Sequence, residues 1–199
     1  MGYTTDFSGE FEIGPEPLAP EHLAYLKAFN GTRRMKRNAE ITKTLPDPIR
    51  EAVGLPVGPE GAYYVGSTSD FGQDHTPDIV DYNTAPGAPN SDDFYEGFPP
   101  DAWEKYSAAK DMAVAEGAQP GLWCQWRPDE GGTAIVWDEG EKFYDYVEWL
   151  RYLVEHFLRP WGYVLNGEVT WQGEESDDIG KIVVADNKIE VKHGRVIYQ

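Results

Sequence analysis

Apolar and polar side chains alternate along the first segment of the chain. Tyr3, Thr5, Phe7, Phe11 and Ile13 share one face of an extended stretch, and Asp6, Ser8, Glu10 and Glu12 share the other, the pattern of a half-buried antiparallel strand. Pro15, Pro17 and Pro20 break this stretch. Pro20 suits the first turn of a helix whose apolar positions Leu23, Leu26 and Phe29 recur at helical spacing, with Asn30-Gly31 as its cap. A second helix is predicted over 101–116, with Trp103, Tyr106 and Met112 toward the body and Gly117 as its stop. The strongest helical period runs over about 141–159. There Phe143, Tyr146, Val147, Leu150, Leu153, Val154 and Phe157 form the inner stripe, Asp145, Glu148, Arg151 and Glu155 lie outside, and Pro160 ends the helix.

Between these helices, "GLWCQW" (121–126) and "TAIVW" (133–137) read as two strands joined by "RPDEGG". After the last helix, "YVLNGEVTWQG", "DIGKIVVADNKIEV" and "GRVIY" read as a β-meander, with "ADNK" and "KHG" as tight turns. Residues 46–100 are rich in Pro and Gly and read as a loop-rich excursion with one or two short strands. The order predicts an α+β fold in which two main helices cover one face of an antiparallel sheet. It accommodates a ferredoxin-like β-α-β-β-α-β core with a C-terminal meander. The expected organisation is one domain over 1–199, with 46–118 as an insertion carrying one short helix.

Charge changes this picture. The chain has 35 acidic and 17 basic side chains, a net charge of −18, which disfavours direct binding to double-stranded nucleic acid or to an anionic membrane. The bases are unevenly placed, because residues 27–50 hold seven Lys or Arg against two acids. "TRRMKRN" reads either as a solvated, salt-bridged face or as an anion site in which Arg33, Arg34 and Arg37 grip a phosphorylated small molecule. At the other extreme, "WQGEESDDIGK" gathers Glu174, Glu175, Asp177 and Asp178 between two strands. Lacking the D-x-D-x-D-G order of a calcium loop, it reads as an exposed turn or as the acidic edge of a surface for a basic protein partner.

Few residues suggest catalysis. Cys124, the only cysteine, lies in a strand between Trp123 and Trp126 and reads as packing. "DFGQDHTPDIVDYN" places His75 beside Asp74, Asp78 and Asp81, which as a general base with carboxylate partners would make a hydrolase or transferase site. The same side chains equally serve loop turns, and no second His completes a metal-ligand pair. No phosphate-loop, dinucleotide or nucleophile-elbow motif occurs, so no cofactor or metal is implied. The apolar runs are too short to span a bilayer and the opening residues lack a signal core, so the expected setting is the cytoplasm.

Taken together, "GYTTDFSGEFEI", "PGLWCQW" and "GEKFYDYVEWLRYLVEHFLRPWGYVLNGEVTWQGEESDDIGKIVVADN" resemble a group of small acidic proteins of bacteriophages, prophages and bacteria. The resemblance covers both ends and roughly two thirds of the chain, and the segment near 85–118 stands out as an addition to it. It implies a phage or bacterial cytoplasmic setting and carries over no catalytic residue. The expectation it supports is a non-enzymatic binding protein of phage type, one that inhibits a host defence or nucleic-acid-handling protein or sequesters a signalling nucleotide. The His75-loop enzyme and a structural phage component are the alternatives.

Overall fold

The computed structural model describes residues 2–67, 76–97 and 99–195. The chain divides into two compact units, one made of Met1–Asn30 with Cys124–Gln199 and the other of Gly31–Trp123. The elements in chain order are β1 (Thr5–Gly14), α1 (Pro20–Gly31), β2 (Lys36–Arg37), α2 (Ala39–Thr42), α3 (Pro48–Ala52), β3 (Ile79–Asp81), α4 (Asp92–Tyr95) and α5 (Ala102–Ala115). They continue with β4 (Trp126–Pro128), β5 (Ala134–Trp137), α6 (Tyr146–Leu153), β6 (Val164–Gly173), β7 (Ile179–Ala185) and β8 (Lys188–His193).

The first unit is built on a six-stranded antiparallel sheet of order β4-β5-β1-β6-β7-β8. Within it, β4-β5-β1-β6 alone has β1 and β4 separated by β5, with α1 after β1 and α6 after β5. That is the split β-α-β-β-α-β arrangement of a ferredoxin-like core, and β7 and β8 extend it as a meander. The α+β expectation is therefore met. Both helices lie on one face of the sheet. Phe29 of α1 meets Trp149 of α6 edge-on at 6.1 Å, and Tyr146 of α6 meets Phe7 of β1 at 4.9 Å and Trp171 of β6 at 5.9 Å. Such aromatic pairs add about 0.5–1.5 kcal/mol each beyond the area they bury.

Alternation in the strands decides which side chains enter this core. In β1, Thr5, Phe11 and Ile13 are buried and Asp6, Ser8, Glu10 and Glu12 are exposed, as the pattern predicts. In β6, Leu165, Val169 and Trp171 are buried, and Asn166, Glu168, Thr170 and Gln172 point outward. The Asp186-Asn187 turn joins β7 to β8 with both residues at positive φ, which Asp and Asn tolerate. The predicted third strand, "GRVIY", begins at Gly194 and Arg195, which are not in a strand, and its last three residues lie outside the described residues.

The expectation for the longest helix needs correction. The helix read over 141–159 begins at Tyr146, because Glu139, Lys142 and Asp145 all have positive φ, incompatible with a right-handed helix. Phe143, buried against Trp126 at 5.3 Å, anchors that irregular lead-in. At its far end the helix closes in a π-helical turn, Val154–Leu158, where the Arg159 N–H reaches back to the Val154 carbonyl at 2.9 Å. Trp149 and Tyr152, outside the predicted stripe, are buried as well, since Phe29 of α1 lies against both rings.

The second unit has its own two-stranded sheet, β2-β3, surrounded by short helices and turns. Its limits, Gly31 and Trp123, lie outside the 46–118 read from composition, because the basic stretch after Gly31 supplies its interior. A further correction falls here. α5 forms where the spacing predicts, but Trp103 is 69% and Met112 67% exposed, and the helix buries only Ala102.

Candidate functional site

The basic stretch turns inward. Arg34, Lys36, Arg37 and Arg50 are all buried. Arg34 donates from Nε to Gln119 Oε1 at 3.3 Å and from Nη2 to the carbonyls of Ala62 at 3.2 Å and Tyr64 at 2.7 Å. The Arg37 guanidinium donates to Asp78 Oδ2 at 2.7 Å and lies 4.5 Å from the centre of the Tyr64 ring. Arg33 is half-buried, donating to the Tyr82 carbonyl and to Asn83 Oδ1 with its guanidinium 4.3 Å over the Tyr82 ring. The stretch is thus largely a lattice of salt bridges and hydrogen bonds, Arg37 with Asp78, Arg50 with Asp47 and Lys36 with Glu60. Arg34 and Arg37 are spent on the fold of their own unit.

The His75 loop divides. His75 and Asp74 lie outside the described residues. Asp78 is completely buried and accepts from Arg37 and Thr42 on one oxygen and from Thr76 on the other. Burial pushes its carboxyl up, but the hydrogen bonds from Thr76, Arg37 and Thr42 more than reverse this and hold it below the usual carboxylate range. Asp81 accepts the Asn83 backbone N–H at 2.8 Å, the geometry of a turn-forming aspartate. Among the described residues, no three His, Cys, Asp or Glu side chains converge where a metal could sit. Cys124 is buried as expected of a packing residue, but not from a strand, because the strand read over 121–126 begins only at Trp126.

The four carboxylates after β6 separate into two kinds. Asp178 accepts from Tyr3 Oη at 2.6 Å and Trp171 Nε1 at 3.1 Å, and Glu174 accepts the Thr4 backbone N–H at 2.8 Å. These two tie the chain before β1 to the end of β6. A Cβ at Gly173 would fall onto the Asp178 carboxylate and the Tyr3 hydroxyl, so only glycine lets this clasp close. Burial, with the Asp178 carboxylate nearby, pushes the Tyr146 phenol up to about 12. Glu175 and Asp177 are exposed.

Sheet register extends this acidic edge into a band that spacing alone does not reveal. Thr5 pairs with Gly173, so Asp6, Glu10 and Glu12 run from the 174–178 turn along β1 on the uncovered face. Same-face positions repeat about every 6.8 Å in such a strand. Glu10 lies directly opposite Glu168, a like-charge pairing that disfavours the sheet. Glu168 is partly neutralised by Lys181 at 2.9 Å. Asp6, Glu10 and Glu12 make no ion pair among the described residues. No aromatic side chain stands among the outward residues of β1 and β6, so the face lacks the stacking platform with which sheets bind single-stranded nucleic acid. The sequence holds a partial signal for this band, because alternation turns both Glu10 and Glu168 outward. Only the β1–β6 pairing sets them face to face.

Inward-facing bases and outward-facing acids together sharpen the surface charge. In 31–123, four of eight basic side chains are buried, but among the thirteen acidic side chains described there only Asp47 and Asp78 are. Fold and site define a class: an α+β sheet unit with one helix-covered face and one open, acidic face, carrying a second unit inserted after its first helix. Set against protein-family models, curated proteins and solved structures, the chain matches none of them. No helix among the described residues is long and apolar enough to cross a membrane.

Proposed function

We propose that this is a non-enzymatic binding protein whose open sheet face engages a basic protein surface. In the phage or bacterial setting that the sequence resemblance implies, the partner is a host defence or nucleic-acid-handling protein, whose own basic groove supplies the complement. The observation that carries this reading is the run of unneutralised carboxylates Asp6, Glu10 and Glu12 on β1, with Glu10 set against Glu168. A sheet selected for stability alone would place a cation at one of those two positions. Complementary charge of this kind raises association rates and selects partners. The nucleotide-binding alternative is weakened by the internal partners of Arg34 and Arg37, and the role of Asp78 as the His75 loop's base partner by its complete burial.

The test compares three forms of the protein as bait in a bacterial lysate, with captured proteins quantified by mass spectrometry. One form is the parent. A second carries Asp6→Asn, Glu10→Gln, Glu12→Gln and Glu168→Gln. A third carries Glu16→Gln, Glu21→Gln, Glu141→Gln and Glu155→Gln, exposed acids elsewhere on the same unit. The expected result is a basic protein captured by the first and third forms and lost from the second. The second form should unfold no more easily than the parent, since it relieves the Glu10–Glu168 contact. Identical captures by all three would end the proposal.

A further inference from the structure

The second unit carries two helices that bury almost nothing. α4 buries no side chain and α5 only Ala102. Yet the pair is rich in aromatic rings, and they are gathered. Tyr106 meets Phe94 edge-on at 5.7 Å, Tyr95 at 6.3 Å and Trp103 at 6.2 Å. Tyr106 is half-buried at the centre of this group, and Trp103, three residues earlier on the same helix face, is left 69% exposed. An indole set against the Tyr106 ring, itself packed between Phe94 and Tyr95, gives up less side-chain freedom on docking than a flexible chain would, which is what makes such residues binding anchors.

Charge selects what this anchor can receive. Residues 92–116 hold seven acidic and two basic side chains, and one of the two, Lys105, is taken by Asp101 at 2.7 Å. Asp92, Asp93 and Glu96 are exposed on or just after α4, and Glu104 stands beside Trp103. Anionic ligands, whether phosphates, nucleic acid or acidic lipid, are repelled from this neighbourhood. A segment that is both cationic and apolar matches the rings and their acidic rim together.

We propose that α4 and α5 dock a basic amphipathic segment of a partner protein, its apolar side against Trp103 and Tyr106 and its Lys or Arg side chains against Asp92, Asp93, Glu96 and Glu104. This deepens the reading of the protein as a binder of basic partners and rests on it, but it uses residues of the second unit and not those of the sheet face. The match is of the helix-in-groove kind, read by anchors at helical spacing.

The probe is a fluorescent synthetic peptide of roughly 18 residues with Leu and Lys at amphipathic helical spacing. One control has its Lys replaced by Glu, and a second has the same composition in scrambled order. Anisotropy is followed with the full chain at about 50 and about 200 mM salt. Trp103→Ser should weaken binding about tenfold with the salt dependence unchanged, and Trp103→Tyr should retain most of it. Neutralising Asp92, Asp93, Glu96 and Glu104 should flatten the salt dependence, and neither control peptide should bind comparably. Each variant's thermal midpoint is read alongside, and the exposure of Trp103 predicts little change. If Trp103→Ser binds like the parent while the sheet-face variant loses the peptide, the helix site is refuted and the basic-partner reading stands. If the parent binds no basic peptide, both fall. Equal binding of the scrambled peptide would reduce the contact to unspecific charge and overturn the proposed site.

Discussion

Replacing Asp78 by Asn removes one negative charge from a place that water does not reach. The side chains of Arg37 and Asp78 are 2% and 0% exposed, and their atoms are 2.7 Å apart. Both Asp78 oxygens are occupied, by Arg37 and Thr42 on one side and Thr76 on the other. Asn keeps the shape but removes the buried carboxylate charge to which Arg37 Nη1 donates. Breaking a buried pair in this way costs about 3–5 kcal/mol. For a chain of this size each kcal/mol is about 2–4 °C of midpoint, so the predicted fall is about 6–20 °C. Removing both charges, as Arg37→Met with Asp78→Leu, should cost less than Asp78→Asn alone, because the cation is removed together with the carboxylate it pairs with.

The pH dependence carries a sign that can be worked out. The folded Asp78 carboxyl is held below its ordinary value of 3.8, so its contribution is fully present above that value. It is lost as pH falls through the lower folded value, when the proton finally binds. Urea unfolding of parent and variants across the acid range is the assay. An Asp78→Asn protein within about 1 kcal/mol of the parent at neutral pH would refute the account of the ion pair as the keystone of the second unit. It would also return Asp78 to consideration as a chemical group of the His75 loop.

Two further predictions concern the first unit. His22 is stacked on Trp161 at 4.1 Å and His156 on Tyr152 at 4.0 Å, and burial pushes both imidazoles below the ordinary 6.5. Their contribution is full above that value and lost as pH falls through the lowered folded values, so stability should decline as pH falls below the ordinary imidazole value, and His22→Phe with His156→Phe should flatten the decline in urea titrations. Gly167 has φ +133° in β6 and a Cβ there would meet the Glu10 carbonyl, so Gly167→Ala should cost about 1–3 kcal/mol by chemical denaturation, whereas an unchanged midpoint would show that the β1–β6 approach is relaxed there.

Local pattern carried most of the first unit's architecture, for reasons visible in single residues. β1 and β6 alternate apart from Gly9 in β1, and a period of two assigns every side chain to a face before any partner is known. The same logic failed for α5. Helical spacing marks Trp103 and Met112 as apolar positions, but spacing does not say whether another element arrives to cover them. It failed as well for 141–145, where a run of ordinary helix formers is diverted by positive φ at Lys142 and Asp145.

Net charge, the absence of cofactor motifs and the strand-helix order are properties of the chain by itself, because they depend on residue type and on contacts a few positions apart. What each charge does is a property of the tertiary structure. Arg34 and Arg37 look like phosphate forks in sequence and become interior struts, since carbonyls and Asp78 from distant positions surround them. Glu10 looks like any exposed strand residue and becomes half of a like-charge pair, because the β1–β6 register brings Glu168 opposite it across 158 positions of chain. Burial and register are long-range quantities, set by which segments meet. They decided which carboxylates hold the fold and which ones stand exposed on the outer face of the sheet.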